Sequence, residues 1–207
     1  MKKKAYFLIL SVVFFALFLF FSYLVKKDLL VKLDFDTTVR LQNHLPKKFD
    51  PYLSVFSLIG SFEVYSLLIL LVIFIRKKLI SIFVFLPFFF AHIIEIFGKA
   101  LLHQPPPPFM FHRFALFFNF PSSYVQPGYS YPSGHSLRTV FVSFLIGYLI
   151  LNSKMKRLNK FLLVSALFIF NFIMLLSRVT LGEHWSTDVI GGAILGISAS
   201  FFGFLFL

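Results

Sequence analysis

Residues 5–25 read AYFLILSVVFFALFLFFSYLV, 21 residues without a charge, directly after Lys2, Lys3 and Lys4. That length matches the roughly 20 apolar residues a helix needs to cross about 30 Å of hydrocarbon. A basic start followed by an apolar stretch has the outline of a secretory signal peptide. The stretch is too long for one and no small-residue cleavage site follows, so an uncleaved first span is expected. The pattern then recurs. Leu53–Ile75 and Leu79–Gly98 flank Arg76, Lys77 and Lys78, Ser136–Ser153 carries Arg138 in its first turn, and Phe161–Ser177 and Val189–Leu207 are uncharged. These runs are continuously apolar and do not alternate, which predicts helices and not a barrel. The expected fold is an all-α integral membrane bundle of six transmembrane helices, one domain over residues 1–207.

Composition points the same way. Apolar residues make up 58% of the chain and Phe alone fills 33 positions, against roughly 45–50% apolar in an ordinary globular chain. Charged residues are 14%, where about 25% is usual. A compact soluble domain of this size leaves too much of its chain exposed to hide such a surface. A water-soluble enzyme, a disordered tail and a collagen-like fibre are excluded. The net charge of +12 raises a nucleic-acid partner. The basic residues, however, cluster at the ends of apolar runs, where cytoplasmic loops and anionic headgroups place them. The lipid bilayer is the expected partner, with no nucleic acid. The chain has no cysteine, which removes disulfides, thiolate metal sites and a cysteine nucleophile.

With the N-terminus in the cytoplasm, the inner segments carry Lys2–Lys4, Arg76–Lys78, Lys154, Lys156, Arg157 and Lys160. The outer segment 26–50 is also basic, through Lys26, Lys27, Lys32, Arg40, Lys47 and Lys48, and is partly offset by Asp28, Asp34, Asp36 and Asp50. Within it, Asp36 predicts the cap of a short surface helix Thr37–Leu45 stopped by Pro46, or else an ordered connecting loop. Pro105–Pro108 predicts an extended polyproline strut.

Polar residues out of place in such a chain carry the chemistry. Parity brings the end of span three, the start of four, the end of five and the start of six to one membrane face, extracytoplasmic in this orientation. That face collects Lys99, Ser133, Gly134, His135, Arg178, His184 and Asp188, with an active-site loop over about 99–135. Lysine, arginine and free amides at a helix N-terminus form a phosphate cradle. The spacing of His184 and Asp188 puts both on one helical face. A carboxylate bonded to one ring nitrogen fixes the tautomer and makes the other nitrogen a better nucleophile. His135 can then protonate a leaving oxygen. Plainer readings stand beside these: boundary histidines as surface residues, Lys99 and Arg178 as snorkelling anchors, Asp188 as an N-cap. A zinc site of His135, His184 and Asp188 is opposed by the two neighbouring cations, which repel a metal ion.

Pro132-Ser133-Gly134-His135, followed by Ser177-Arg178, five residues, His184, three residues and Asp188, resembles the type 2 phosphatidic acid phosphatase family. That family includes the lipid phosphate phosphatases and is related to vanadium haloperoxidases; the six-span layout extends the resemblance over the whole chain. The resemblance implies a metal-independent phosphatase without a cofactor. His184 would attack phosphorus to give a phosphohistidine, Asp188 would orient it and His135 would protonate the leaving group. Ser133, Gly134, Arg178 and Lys99 would hold the phosphate oxygens. One position departs. The family's first motif runs Lys, six residues, Arg, Pro, and here the arginine position is Pro106. A charge-assisted hydrogen bond of that kind is worth about 1.5–3 kcal/mol, or roughly 10–150-fold in rate. Arg113, His103 or Arg138 offers a replacement, and Arg138 shares a helical face with His135.

Further polar groups support the site or the bundle. His92, Glu95 and Lys99 share a face of span three, and Glu95 precedes Lys99 in the favourable order for an ion pair. Glu63 sits mid-span without an evident partner. Gly192-x-x-x-Gly196 predicts a close helix contact within the bundle. His44 and His112 read as surface residues. The expected activity is removal of phosphate from a membrane lipid phosphate or diphosphate of the isoprenyl diphosphate, phosphatidate, phosphatidylglycerol phosphate or lipid A type. An outward-facing site favours the isoprenyl diphosphate. Two alternatives stay open: a lipid phosphotransferase using the same histidine, and a non-catalytic lipid-phosphate-binding protein, because of Pro106. A transporter or scaffold leaves the polar cluster unexplained. The expected location is a bacterial inner (plasma) membrane.

Overall fold

A computed structural model describes residues 2–114, 116 and 128–207; the part of the expected active-site loop at 115 and 117–127 lies outside the described residues. Among the described residues the chain is helical, with no strand. The first apolar run forms α1, Lys2–Lys26. A surface helix α2, Val31–His44, follows, then α3, Asp50–Ser57, and α4, Phe62–Arg76. A 3₁₀ stretch Leu79–Val84 runs into α5, Phe85–Leu102. The chain resumes as α6, Gly134–Leu151, α7, Arg157–Thr180, and α8, Ser186–Gly203. Five of these helices are long and apolar enough to cross a membrane. Lys47–Gly60 and Phe62–Arg76 together make a sixth, bent by 50°.

That bend is a departure from the continuous span expected over 53–75. Ser61 is extended, with ψ 156°, and its Oγ accepts a hydrogen bond from Val64 N at 3.4 Å, so a second helix starts there. A serine N-cap inside an apolar run has restarted the helix, and the carbonyl of Gly60 is released from helical bonding toward the neighbouring α6. The surface helix also differs from the expected Thr37–Leu45. It begins at Val31 with Leu30 before it, and Asp36 lies inside it. Its acid with a structural task is Asp34, which reaches across to α8. At its other end Leu45 turns extended (ψ 110°), as a residue before proline prefers.

α8 is the central helix and packs chiefly on α6 and α1. Lipid tails are as apolar as side chains, so close backbone approach and interhelical hydrogen bonds hold such a bundle. Gly192 and Gly196 supply the approach to α6. A Cβ at Gly192 would run into the Ser133 carbonyl, and one at Gly196 would lie 2.6 Å from the Leu137 carbonyl oxygen. Against α1 the bonds are reciprocal: Ser11 Oγ donates to the Ser198 carbonyl and Ser198 Oγ to the Ser11 carbonyl, both at 2.9 Å. Phe88, Leu137, Phe141, Leu145 and Leu195 fill the centre. Phe90, Phe168 and Phe172 stand exposed on the outside, where hydrocarbon and not water is the solvent.

Candidate active site

The C-terminal ends of α5 and α7 meet the N-terminal ends of α6 and α8. Ser133 N donates to the Asp188 carbonyl at 2.9 Å, and Gln104 Nε2 to Thr187 Oγ1 at 3.3 Å. Between these ends lies a cavity of about 660 Å³ whose wall includes Lys99, His135, Arg138, Arg178, Glu183 and His184. Residues 85 positions apart, Lys99 and His184, thus face one space.

His184 sits on the short turn between α7 and α8. Its amide and that of Glu183 both donate to the Arg178 carbonyl, at 3.2 and 3.1 Å. Its Nδ1 lies 3.3 Å from Asp188 Oδ2. That carboxylate is wholly buried and is fixed by a second bond, from Trp185 N at 2.9 Å. With Nδ1–H donated to Asp188, Nε2 carries the lone pair, which is the arrangement a nitrogen nucleophile needs. Burial, then the charges of Arg178 and Lys99, hold the His184 pKa well below the usual imidazole value. The ring is therefore neutral at neutral pH.

His135, in the first turn of α6, lines the same cavity. Arg138, one turn on, holds it: Nη2 is 3.4 Å from His135 Nδ1, Nε donates to the Gly60 carbonyl at 2.9 Å, and Nη1 is 4.0 Å from Glu95 Oε2. The Gly60–Ser61 break thus creates the acceptor that orients Arg138. A side chain at Gly60 would collide with the His135 ring. On α5, Glu95 Oε1 accepts from Lys99 Nζ at 2.8 Å, and Gly134 leaves room for the same carboxylate. Arg178 is buried and pairs with Glu183; its Nε and Nη1 have no hydrogen-bond partner among the described residues.

Some expected site residues stand elsewhere. Ser133 is wholly buried behind the wall, capping α6 by accepting from Ser136 N at 3.5 Å, and only its neighbour Gly134 lines the cavity. Arg113 does not line it. Its guanidinium is consumed by Asp50, at 2.8 and 2.9 Å, and by the carbonyls of Gln42 and Leu45 at 3.1 and 3.0 Å, so it ties α2 to α3 away from the cavity. His103 stacks edge-on against Tyr129 at 4.8 Å, off the cavity. Pro106, Glu63 and His112 do line it, so His112 is exposed but not an ordinary surface residue. His44 is exposed and only bonds the Arg40 carbonyl.

Two contributors escaped the sequence reading. Glu183 had no signal beyond its place beside His184. Asp34 is buried at the start of α8, where Oδ1 accepts from Ser186 Oγ at 2.6 Å and Thr187 N at 2.8 Å, and Oδ2 from Thr187 Oγ1 at 2.6 Å. It caps from α2 the helix that carries Asp188.

Two solved structures share this architecture. The first transmembrane PAP2 type phosphatidylglycerolphosphate phosphatase from Bacillus subtilis superposes with a TM-score of 0.74 at 20% identity, covering 94% of this chain and 94% of that one. Aquifex aeolicus LpxE gives 0.62 at 22% identity, over 83% of this chain and 94% of that one. No curated protein matches the sequence. The family model of the PAP2 superfamily matches residues 68–207, the stretch that carries α5 to α8 and every histidine and cation on the cavity wall. The chain belongs to the PAP2 superfamily.

Proposed function

We propose that this integral membrane protein is a metal-independent lipid phosphatase in which His184 carries the phosphoryl group. The observation that carries the reading is the His184–Asp188 pair opening into a cavity whose wall also bears Lys99, Arg138 and Arg178. The phosphoryl oxygens lie against these three cations and the Gly134 amide at the start of α6, a helix N-terminus suited to an anion. His184 Nε2 attacks phosphorus; the bond from phosphorus to the lipid oxygen breaks, and His135 gives that oxygen its proton. Water then attacks phosphorus, the phosphorus–nitrogen bond breaks with its electron pair returning to His184 Nε2, His135 takes the water proton, and orthophosphate leaves. Asp188, bonded to Nδ1, balances the positive charge His184 acquires. Ser133 shapes the wall by capping α6. Arg138 takes the part that the resemblance gives to an arginine at position 106, and it leaves His135 for the phosphate when substrate binds.

A substrate whose phosphate reaches the cavity while its tail stays in hydrocarbon fits a site at the end of the bundle. One structural neighbour is a phosphatidylglycerolphosphate phosphatase, and we place that lipid with isoprenyl diphosphate, phosphatidate and phosphorylated lipid A as the substrates to compare. The test is phosphate release by detergent-purified protein with EDTA present, from each of the four lipids, beside His184→Ala. Release with EDTA that falls by about a thousandfold or more in the variant is expected for loss of a nucleophile. Release that depends on added metal, or that survives His184→Ala, sinks the reading. Phosphate moved to an added lipid alcohol without free phosphate would identify a phosphotransferase instead.

A further inference from the structure

The cavity's formal charges are balanced before any substrate arrives. Lys99, Arg138 and Arg178 on its wall face Glu63, Glu95 and Glu183. The carboxylates differ in how they are held. Glu95 is buried within α5 and bound to Lys99. Glu183 lies on a turn, its side chain is 17% exposed, and it pairs with Arg178, the most deeply buried of the three cations. The backbone beneath it is fixed. Glu183 N and His184 N share the Arg178 carbonyl, and Gly182 holds φ +70° pressed against the Phe111 carbonyl, a place no side chain fits. Only rotation of the Glu183 side chain separates its carboxylate from the guanidinium. Arg178 meanwhile keeps two nitrogens, Nε and Nη1, without a partner among the described residues. It is an anion site already holding a carboxylate, one residue before the nucleophile.

We propose that Glu183 is an internal competitor for the phosphate position, displaced when substrate binds and returning to Arg178 to expel orthophosphate after turnover. The inference rests on reading this cavity as a phosphate site. A carboxylate that must leave before phosphate can take its place weakens substrate and product alike. Such uniform weakening raises KM without lowering the chemical barrier, and it prevents the product from stalling the enzyme. The ligand class is the phosphate dianion, because displacing one negative charge with two gains attraction to Lys99, Arg138 and Arg178.

Calorimetric titration of inorganic phosphate into detergent-purified wild type and Glu183→Gln, at about pH 8 where the dianion predominates, tests this. Phosphate is expected to bind about tenfold tighter to the variant, the change made by losing one competing charge-assisted hydrogen bond. Its inhibition constant in the lipid assay should fall by the same factor, with KM falling in parallel. Glu183→Ala should behave alike. A loosened fold weakens binding, so a gain in affinity cannot come from damage. Unchanged or weaker phosphate binding in both variants overturns the inference. The two readings separate cleanly: tighter binding in a protein that hydrolyses no lipid keeps the competitor and removes the phosphatase. Unchanged binding beside normal turnover does the reverse.

Discussion

Arg138 reaches from α6 to the Gly60 carbonyl, to His135 and toward Glu95, while Pro106 stands on the same cavity wall without a charge. Arg138→Ala is expected to lower kcat/KM by roughly 10–150-fold, the loss of one charge-assisted hydrogen bond to the transition state. Arg138→Lys recovers part of this, since an ammonium keeps the charge without the planar fork. Pro106→Arg added to Arg138→Ala should raise turnover again, because it returns a guanidinium to the same space. Unchanged turnover in Arg138→Ala removes the residue from the mechanism. His184 carries a pH dependence. Its folded pKa is depressed, so below the unfolded value of about 6.5 the unfolded chain binds a proton that the native protein refuses. Stability is therefore lost as pH falls below that value, and His184→Asn should flatten the decline in Tm. For the same reason the nucleophile stays neutral on mild acidification, and the acid limb of kcat/KM is expected below pH ~6.5. The cationic and imidazole residues were legible in the sequence because charge at the edge of an apolar run is conspicuous. Glu183 was not, since a glutamate in a connecting turn is ordinary until its partner is seen.

Among elements, the spans were legible from their length and lack of charge, and their exact ends were not. α6 starts at Gly134 because Ser133 caps it, which pulls His135 into the helix and one turn below Arg138. The break at Ser61 and the early start of α2 were hidden for a shared reason: each is decided by a partner distant in sequence. Gly60 yields to the His135 ring, and Asp34 serves α8 across 152 positions. Asp34 anchors the first turn of α8 with three short bonds. Asp34→Ala leaves a buried hydroxyl pair and an amide without their acceptor, at about 1–3 kcal/mol for each group. The expected result is a clear drop in Tm and a larger fall in kcat than rise in KM, because Asp188 and His184 ride on that turn. Asp34→Asn keeps an acceptor oxygen and should recover part of both. A Tm loss with kcat untouched would confine Asp34 to holding the bundle together. At the other crossing, Gly192→Ala drives a methyl into the Ser133 carbonyl and is expected to lower activity by displacing the α6 N-terminus.

Across the whole molecule, the cavity lies at one end of the bundle, and the loop between α6 and α7 lies at the other. We propose that the cavity faces the extracytoplasmic side, because Lys2–Lys4, Arg76–Lys78 and Lys154–Lys160 cluster at the opposite end, and positive charge is retained in the cytoplasm. The cavity side carries basic residues too, in segment 26–50, but there Asp34 is spent on α8 and Asp50 on Arg113. Asp50 is paired with Arg113 and so offsets no lysine of that segment, which leaves the basic clusters at the other end to favour this orientation. A chain without cysteine permits a direct test. Met110, 76% exposed near the cavity, and Met155, 40% exposed between α6 and α7, can each be replaced by cysteine. In sealed right-side-out vesicles a membrane-impermeant maleimide should label Met110→Cys and spare Met155→Cys until the membrane is opened with detergent. The reverse pattern would place the cavity in the cytoplasm. It would also move the candidate substrates to lipids presented on the inner leaflet, since a head group cannot reach His184 from the far side of the bundle.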